Sequence, residues 1–176
     1  MDSMSKRAEV MAEIAAGSRQ LRNRDLVGAD LSGLDLMAMD LGEVDLREAD
    51  LRGARLIDSS FVGADLRDAN FSGANLLRAD LRHSDARKAL FREAIVKQVD
   101  FFGANLMGSD FTDADLEGAA LPLSCEGFRD VLHSSRAIFG LFGLFLEARV
   151  ASDEDRAAIQ GALKALAART SYLFRR

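Results

Sequence analysis

Residues 61–80 read FVGADLRDANFSGANLLRAD, and this stretch decides the fold because an apolar residue returns at every fifth position. The same register runs from Leu21 to Leu121, and every position in it is Leu or Phe except Ala86 and Val96. On an α-helix these residues would spiral around all faces, and on a strand they would alternate between the two faces. The repeat instead predicts a chain that bends every five residues and buries its apolar residue each time.

The other positions of the repeat are also restricted. A small residue, usually Ala, lies two positions before the apolar residue, and Asp or Asn lies one position before it. Gly often follows two positions after it, as at Gly63 and Gly73. These residue types at fixed offsets predict a turn in every repeat. We expect the Asp and Asn side chains to hydrogen-bond the turn backbone and not to carry protons in a reaction.

The pattern A(D/N)LxG resembles the pentapeptide-repeat family, most clearly at Gly63–Leu66, Gly73–Leu76 and Gly103–Leu106. The resemblance implies a right-handed quadrilateral β-helix with one repeat on each side and about 20 residues in each coil. About five coils at roughly 4.8 Å spacing give a rod near 25 Å long. The Leu/Phe and the small residue are expected to point inward, and the other three positions outward.

Three segments follow from this pattern: an N-terminal capping helix (1–18), the β-helix (19–122) and a C-terminal helical hairpin (123–176). Caps are expected because the ends of a solenoid expose apolar core and unpaired edges. Residues 4–16 have helical spacing, with Val10, Met11 and Ile14 on one side, and Gly17 is a candidate C-cap. Pro122, the only proline, ends the repeat.

The C-terminal segment contains residues 137–146, which are apolar on every side and too few to span a bilayer. One interpretation is a helix held between the last coil and a second helix. The other is a surface that meets a second copy, as several members of the resembled family dimerise through C-terminal segments. We favour the homodimer because a capping hairpin rarely needs so much aromatic area. The candidate interface is Phe139, Leu141, Phe142, Leu144 and Phe145.

Composition limits the function. The only histidines, His83 and His133, lack metal-ligand or triad spacing, and the glycines lie at turns instead of forming a phosphate loop. We therefore predict no catalytic residue, no cofactor and no metal. The net charge of −5 disfavours direct nucleic-acid binding. A single cysteine, Cys125, and the lack of a signal peptide or membrane span predict a cytoplasmic protein that does not bind membranes.

The outward positions carry the remaining information. Residues 20 apart should stack, so Met37, Ile57 and Leu77 form an apolar stripe with Lys97 next in line. Leu90 and Ile95 occupy positions that elsewhere hold Asp or Asn. These five apolar residues are the candidate partner surface, and the alternative is that the terminal helices cover the stripe.

Two charged arrangements stand beside the stripe. One is a column of Arg47, Arg67 and Arg87 flanked by Asp45, Asp65 and Asp85, which we interpret as a self-neutralising structural ladder. The other is a basic belt around Ala86, formed by Arg82, His83, Arg87, Lys88, Arg92 and Lys97. The belt marks either a degenerate coil or a contact site.

Two functions remain. The first is a non-enzymatic scaffold that binds an unknown protein. The second comes from the resemblance to pentapeptide proteins that protect DNA gyrase and topoisomerase IV from quinolones, which are dimeric acidic rods proposed to mimic DNA. The acidity and the expected dimer favour the second function, whereas the basic belt opposes it because a duplex mimic should be acidic along its length.

Overall fold

The computed structural model describes residues 2–121. It contains one α-helix, α1 (Ser3–Ala15), followed by a ladder of single-residue parallel β-bridges that runs from Gln20 to Ala120. Every bridge joins residues 20 apart in the sequence, as in Gln20↔Asp40 and Asp100↔Ala120. Because the chain also turns every five residues, one coil has four sides, and the coils stack into a β-helix. The hand of the coil stays a prediction.

We number the sides by their buried apolar residues. Side 1 carries Leu21, Leu41, Phe61, Leu81, Phe101 and Leu121; side 2 carries Leu26, Leu46, Leu66, Ala86 and Leu106; side 3 carries Leu31, Leu51, Phe71, Phe91 and Phe111; side 4 carries Leu36, Leu56, Leu76, Val96 and Leu116. All of these residues are buried, and so are most of the small residues two positions before them. The predicted interior is therefore confirmed.

The repeat around Leu66 shows how each side is built. The Leu66 amide donates to the Asp85 carbonyl at 2.8 Å, and the Asp68 amide donates to the Arg87 carbonyl at 3.0 Å. The turn closes where the Ala69 amide donates to the Leu66 carbonyl at 3.1 Å. Its third residue, Asp68, has a φ of 59°. A positive φ at that position is the signature of a type II turn.

The same position of the turn has a positive φ in every repeat from Asn23 to Gly118. Glycine occupies eight of these sites, and twelve non-glycine residues adopt φ between 54° and 59°. Left-handed backbone costs an L-residue roughly 1–2 kcal/mol. None of the twelve is β-branched, as expected where the cost would be highest.

Stacked aromatic rings fill the C-terminal half of the interior. On side 3 the Phe71 and Phe91 ring centroids lie 5.0 Å apart, and those of Phe91 and Phe111 lie 4.6 Å apart. Phe61 and Phe101 on the opposite side meet this stack edge-on. These ring spacings are close to the spacing of adjacent coils. Phenylalanine can therefore occupy the same buried position as leucine in successive coils.

Helix α1 has defined ends. The Asp2 carboxylate accepts a hydrogen bond from the Ser5 amide at 2.8 Å, as an N-cap should. At the other end the Ser18 amide donates to the Glu13 carbonyl and the Gly17 amide to the Ile14 carbonyl, both at 2.9 Å. With a φ of 82° at Gly17, this is a Schellman motif, which confirms the C-cap predicted at that glycine.

The helix closes the first coil with polar side chains. Lys6 Nζ donates to Asp25 Oδ1 at 2.9 Å and to the Val27 carbonyl at 3.0 Å. Arg7 Nη1 donates to the Asp30 carbonyl at 2.9 Å, and the Asp30 amide donates to the Ser3 hydroxyl at 2.8 Å. These edge groups would pair with a preceding coil if one existed, so α1 supplies the missing partners.

This arrangement corrects one prediction. Val10 is buried in the core as expected, but Met11, which we placed on the same side, is 49% exposed. Lys6, by contrast, is 7% exposed. The helix is rotated because the coil edge needs hydrogen-bond donors as well as an apolar cover. The predicted C-terminal hairpin and its candidate interface, residues 139–145, lie outside the described residues.

Candidate protein-binding surface

The predicted apolar stripe lies on side 4. Met37, Ile57 and Leu77 are half-buried, and each lies two positions after a bridge residue of that side. The bridges Asp35↔Arg55, Arg55↔Asn75 and Asn75↔Ile95 hold successive coils in register, so the three side chains stack along the rod axis.

The structure also places the other two candidates. Ile95 lies on side 4 beside the stripe, and its side chain is 40% exposed. Leu90 lies on side 3, half-buried, and is bridged to Asn70 and Asp110. Four of the five predicted residues therefore share one surface and Leu90 does not. We call Met37, Ile57, Leu77 and Ile95 the side 4 stripe.

Ion pairs border the side 4 stripe. Arg55 Nη1 lies 3.1 Å from Asp35 Oδ2, and Arg55 Nη2 lies 3.0 Å from the Met37 sulfur. On the other flank Arg78 binds Asp58 with two hydrogen bonds of 2.7 and 2.6 Å, which lower the pKa of the Asp58 carboxyl. The border charges are thus mutually satisfied, and the stripe between them is apolar.

Lys97 ends the stripe. Its ammonium lies 2.8 Å from Glu117 and 3.1 Å from Asp115. The hydrogen bonds that the ammonium donates to Glu117 and Asp115 raise the pKa of Lys97. The ammonium stays charged and paired, so it terminates the apolar surface without offering a free cation.

Helix α1 does not cover the side 4 stripe. Its hydrogen bonds and ion pairs to the rod end on residues 24–32, which belong to the first coil before side 4 begins. One half of the alternative interpretation, a cover by the N-terminal helix, is therefore wrong. The other half, a cover by the C-terminal helices, lies outside the described residues.

Side 2 carries the predicted Asp–Arg ladder. Arg67 Nε lies 2.8 Å from Asp65 Oδ1 and 3.8 Å from Asp85 of the next coil, and its Nη2 lies 2.6 Å from Asp65 Oδ2. Arg47 and Arg87 repeat the two-bond contact with the aspartate of their own repeat. These hydrogen bonds lower the pKa of Asp45, Asp65 and Asp85. The ladder is self-neutralising, which confirms its structural interpretation.

The Asp and Asn side chains bond the turn backbone as predicted. Asn75 Oδ1 accepts from the Leu77 amide at 3.1 Å, and Asp100 Oδ1 accepts from the Phe102 amide at 2.8 Å. Further pairs of this kind run from Asp25 to Asp115. Leu90 and Ile95 cannot accept such a bond, so these two repeats give up a turn contact and gain apolar surface.

The basic belt is paired with acids. Arg82 binds Asp80 and lies 3.8 Å from Asp100, and Arg92 lies 2.6 Å from Asp110. Together with the pairs of Arg87 and Lys97, these contacts neutralise four of the belt residues. The geometry favours a degenerate coil over a contact site. His83 packs edge-on against Phe102 with ring centroids 5.8 Å apart.

Sequence reasoning missed two exposed apolar residues of the last coil. Phe102 on side 1 is 67% exposed and Met107 on side 2 is 43% exposed. The preceding residues in their columns are Arg82 and Arg87. Comparing residues 20 apart would have revealed both, since each column changes from arginine to an apolar residue. Together with Ile95 of the preceding coil, they give the last two coils exposed apolar residues on three sides.

Residues 2–121 contain neither a metal site nor a membrane-spanning helix. No group of three or more His, Cys, Asp or Glu side chains in this range has the geometry of a metal site. No helix in the same range is long and apolar enough to cross a membrane.

The repeat matches a known family. The profile described as Pentapeptide repeats matches eight copies over residues 20–53, 49–85, 59–98 and 87–121, more than half of the chain. The chain belongs to the pentapeptide-repeat family. A search among curated proteins found no match.

Solved structures of pentapeptide proteins are similar to the chain. QnrB1, a plasmid-mediated fluoroquinolone resistance protein, is 22% identical over 57% of this chain and 63% of its own, with a TM-score of 0.43. The chain thus spans less than two thirds of QnrB1. A pentapeptide repeat protein of the Arabidopsis thaliana thylakoid lumen is 29% identical over 58% of this chain and 72% of its own, with a TM-score of 0.40.

Proposed function

We propose that this pentapeptide-repeat protein is a non-enzymatic scaffold that binds a protein partner through the side 4 stripe. The observation that carries the proposal is the contrast between the stripe and the charged positions around it. Met37, Ile57, Leu77 and Ile95 form one apolar surface, whereas the charges at its borders already have partners.

The chemistry of the stripe indicates the kind of partner. Its side chains repeat along the rod at the spacing of adjacent coils, about 4.8 Å, close to the 5.4 Å rise of one helical turn. An amphipathic helix lying along the rod could therefore place one apolar residue against each coil. We infer that the partner contributes such a helix.

The assembly and the compartment belong to the same proposal. A homodimer through Phe139, Leu141, Phe142, Leu144 and Phe145 would present two stripes to a partner. We also place the protein in the cytoplasm, because its single cysteine suits a reducing compartment.

Affinity capture from the native host, using the full chain, tests the proposal. The variant Met37→Asp/Ile57→Asp/Leu77→Asp should lose the partner, because it places carboxylates on the apolar surface. Arg47→Gln/Arg67→Gln/Arg87→Gln removes three stacked charges on side 2, keeps a hydrogen-bond donor for each neighbouring aspartate, and should retain the partner. The proposal fails if both variants, folded by circular dichroism, capture the same proteins as the wild type.

The alternative is modulation of DNA gyrase or topoisomerase IV by a DNA-mimicking rod. Its support is the acidity of the chain and of the last coil. Against it, the aspartates of side 2 form ion pairs with arginines, so they do not present a column of uncompensated negative charge. A supercoiling assay with purified gyrase separates the two functions. Inhibition or quinolone protection at micromolar protein would establish the alternative. The absence of both effects would eliminate it.

A further inference from the structure

Helix α1 is amphipathic, but its charged side chains face the rod and its apolar side chains face outward. Its charged residues Lys6, Arg7 and Glu13 face the rod, where they bind Asp25, Asp30 and Arg24 respectively. Its outer face holds Met4 and Met11, which are 69% and 49% exposed, and the exposed alanines Ala8, Ala12 and Ala15. The outer face of α1 is therefore largely apolar, whereas its inner face carries the charged side chains that pair with the first coil.

The spacing of the outer residues is that of a helix–helix seam. Met4, Ala8, Met11 and Ala15 follow one another at intervals of four, three and four residues, the a/d spacing of a coiled coil. We call these four residues the α1 seam. Glu9, the remaining charged residue of the helix, lies about 140° around the helix from Met4 and away from the seam.

The α1 seam is complementary to itself. If two copies of α1 pack antiparallel across a two-fold axis, Met4 faces Ala15 of the other copy and Ala8 faces Met11. Every large side chain then meets a small one, and no charge is buried. A two-fold contact requires such self-complementarity, because both copies use the same patch: if Met4 of one copy contacts Ala15 of the other, Ala15 of the first contacts Met4 of the second.

The charge distribution argues for a second copy and against a lipid surface. Interfacial helices keep Lys and Arg on their polar face to meet anionic headgroups. In α1 both basic residues are bound to the rod, and the protein has a net charge of −5. We propose that two copies of this chain associate head to head through the α1 seam.

The contact is small. A helix of 13 residues is about 20 Å long, and a pair of this length buries less than a standard interface. We expect a reversible dimer with a Kd of roughly 10 µM to 1 mM. This surface is formed by α1 residues, which are different from the C-terminal residues proposed above, and it lies at the N-terminal end of the described rod.

Sedimentation of the full chain between about 1 µM and 1 mM tests the proposal, in a Phe142→Asp background that silences association through the C-terminal segment. We expect a concentration-dependent monomer–dimer equilibrium. Ala8→Glu should weaken it at least about tenfold because its carboxylate faces Met11 across the axis. Ala16→Glu, the same change at an exposed position off the seam, should leave it unchanged.

A charge-pair rescue fixes the register. Met11→Lys alone should also weaken association, and an equimolar mixture with Ala8→Glu should restore it, since Glu then faces Lys across the axis. The proposal is overturned if the background protein is monomeric throughout the range, if Ala8→Glu does not change its dimerisation, or if the mixture stays monomeric. Unchanged thermal unfolding of each variant shows that α1 is still docked.

Discussion

Sides 2 and 4 of the rod share one backbone ladder and one kind of buried core, yet they present opposite surfaces to solvent. On side 2 Arg47, Arg67 and Arg87 are each paired with the aspartate of their own repeat, and Arg47 and Arg67 also lie near the aspartate of the next coil. On side 4 the equivalent column holds Met37, Ile57 and Leu77. The repeat therefore specifies the inside and the turns, and it leaves the outward column free to diverge. We therefore place the proposed partner contact on side 4, where the outward side chains are apolar and do not pair with one another.

The largest expected effect tests whether the two sides are equal inside. Leu66→Ala on side 2 and Leu76→Ala on side 4 each empty a fully buried site. Each should reduce the free energy of unfolding by about 2–5 kcal/mol, through lost burial and the cavity left behind. Denaturant unfolding measures both. A much larger loss on one side would mean that the sides differ in their cores and not only in their outward columns.

Acid should weaken the side 2 ladder. Hydrogen bonds from Arg67 hold the pKa of Asp65 below its ordinary value of 3.8 in the folded protein. The resulting stabilisation is complete above that value and is lost as the pH falls through the lowered pKa, because the unfolded chain binds the proton first. The unfolding temperature should therefore drop as the pH falls below 3.8.

Two variants assign the acid effect to the ladder. Asp65→Asn should flatten the decline of the unfolding temperature with pH, since Asn does not titrate. Asp68→Asn changes an exposed residue of the same repeat and should follow the wild type more closely. Identical slopes for Asp65→Asn and the wild type would show that the ladder does not contribute.

The interior of side 2 departs from the leucine register at Ala86, which is fully buried. Ala86→Leu should raise the free energy of unfolding by about 1 kcal/mol by filling a partial void. Ala89→Leu, at a small position of the turn, should lower it by about 1–3 kcal/mol through overpacking. Thermal and denaturant unfolding distinguish the two. If Ala86→Leu is destabilising, neighbouring side chains already occupy that space.

The smallest expected effect concerns the turns. Asp68 on side 2 and Asp58 on side 4 both have left-handed backbone, with φ of 59° and 57°. Asp68→Gly should stabilise the protein by about 0.5–1 kcal/mol, the left-handed cost removed less the entropy that glycine loses on folding. Asp58→Gly should gain less, because it also removes the pair with Arg78. Equal gains would mean that this pair does not stabilise side 4.

Much of the fold was predictable because the same residue types recur at the same positions in every repeat. The spacing of Leu and Phe identified the buried positions, and the Asp or Asn before each identified the turn contact. The rotation of α1 was not predictable from apolar spacing, since the carbonyls that Lys6 and Arg7 bind are exposed at a coil edge only once the first coil has formed. Met11 was misplaced for that reason.

The candidate surface was predictable only in part. Stacking at intervals of 20 placed Met37, Ile57, Leu77 and Ile95 together, because the bridge register is uniform. Phe102 and Met107 were missed because their columns were not followed into the last coil, where each changes from arginine to an apolar residue. The pairing of Arg92 and Lys97 was also missed, since it depends on side-chain contacts with the next coil and not on the sequence of one coil.

Because each coil hydrogen-bonds only to the coils before and after it, every finished coil offers a template for the next 20 residues of chain. Helix α1 and the first coil emerge from the ribosome before the later coils, so the rod can wind as it is synthesised, one coil at a time. The contacts made by Lys6 and Arg7 then act at the start of the process, by sealing the first edge before an equivalent edge of another nascent chain can pair with it.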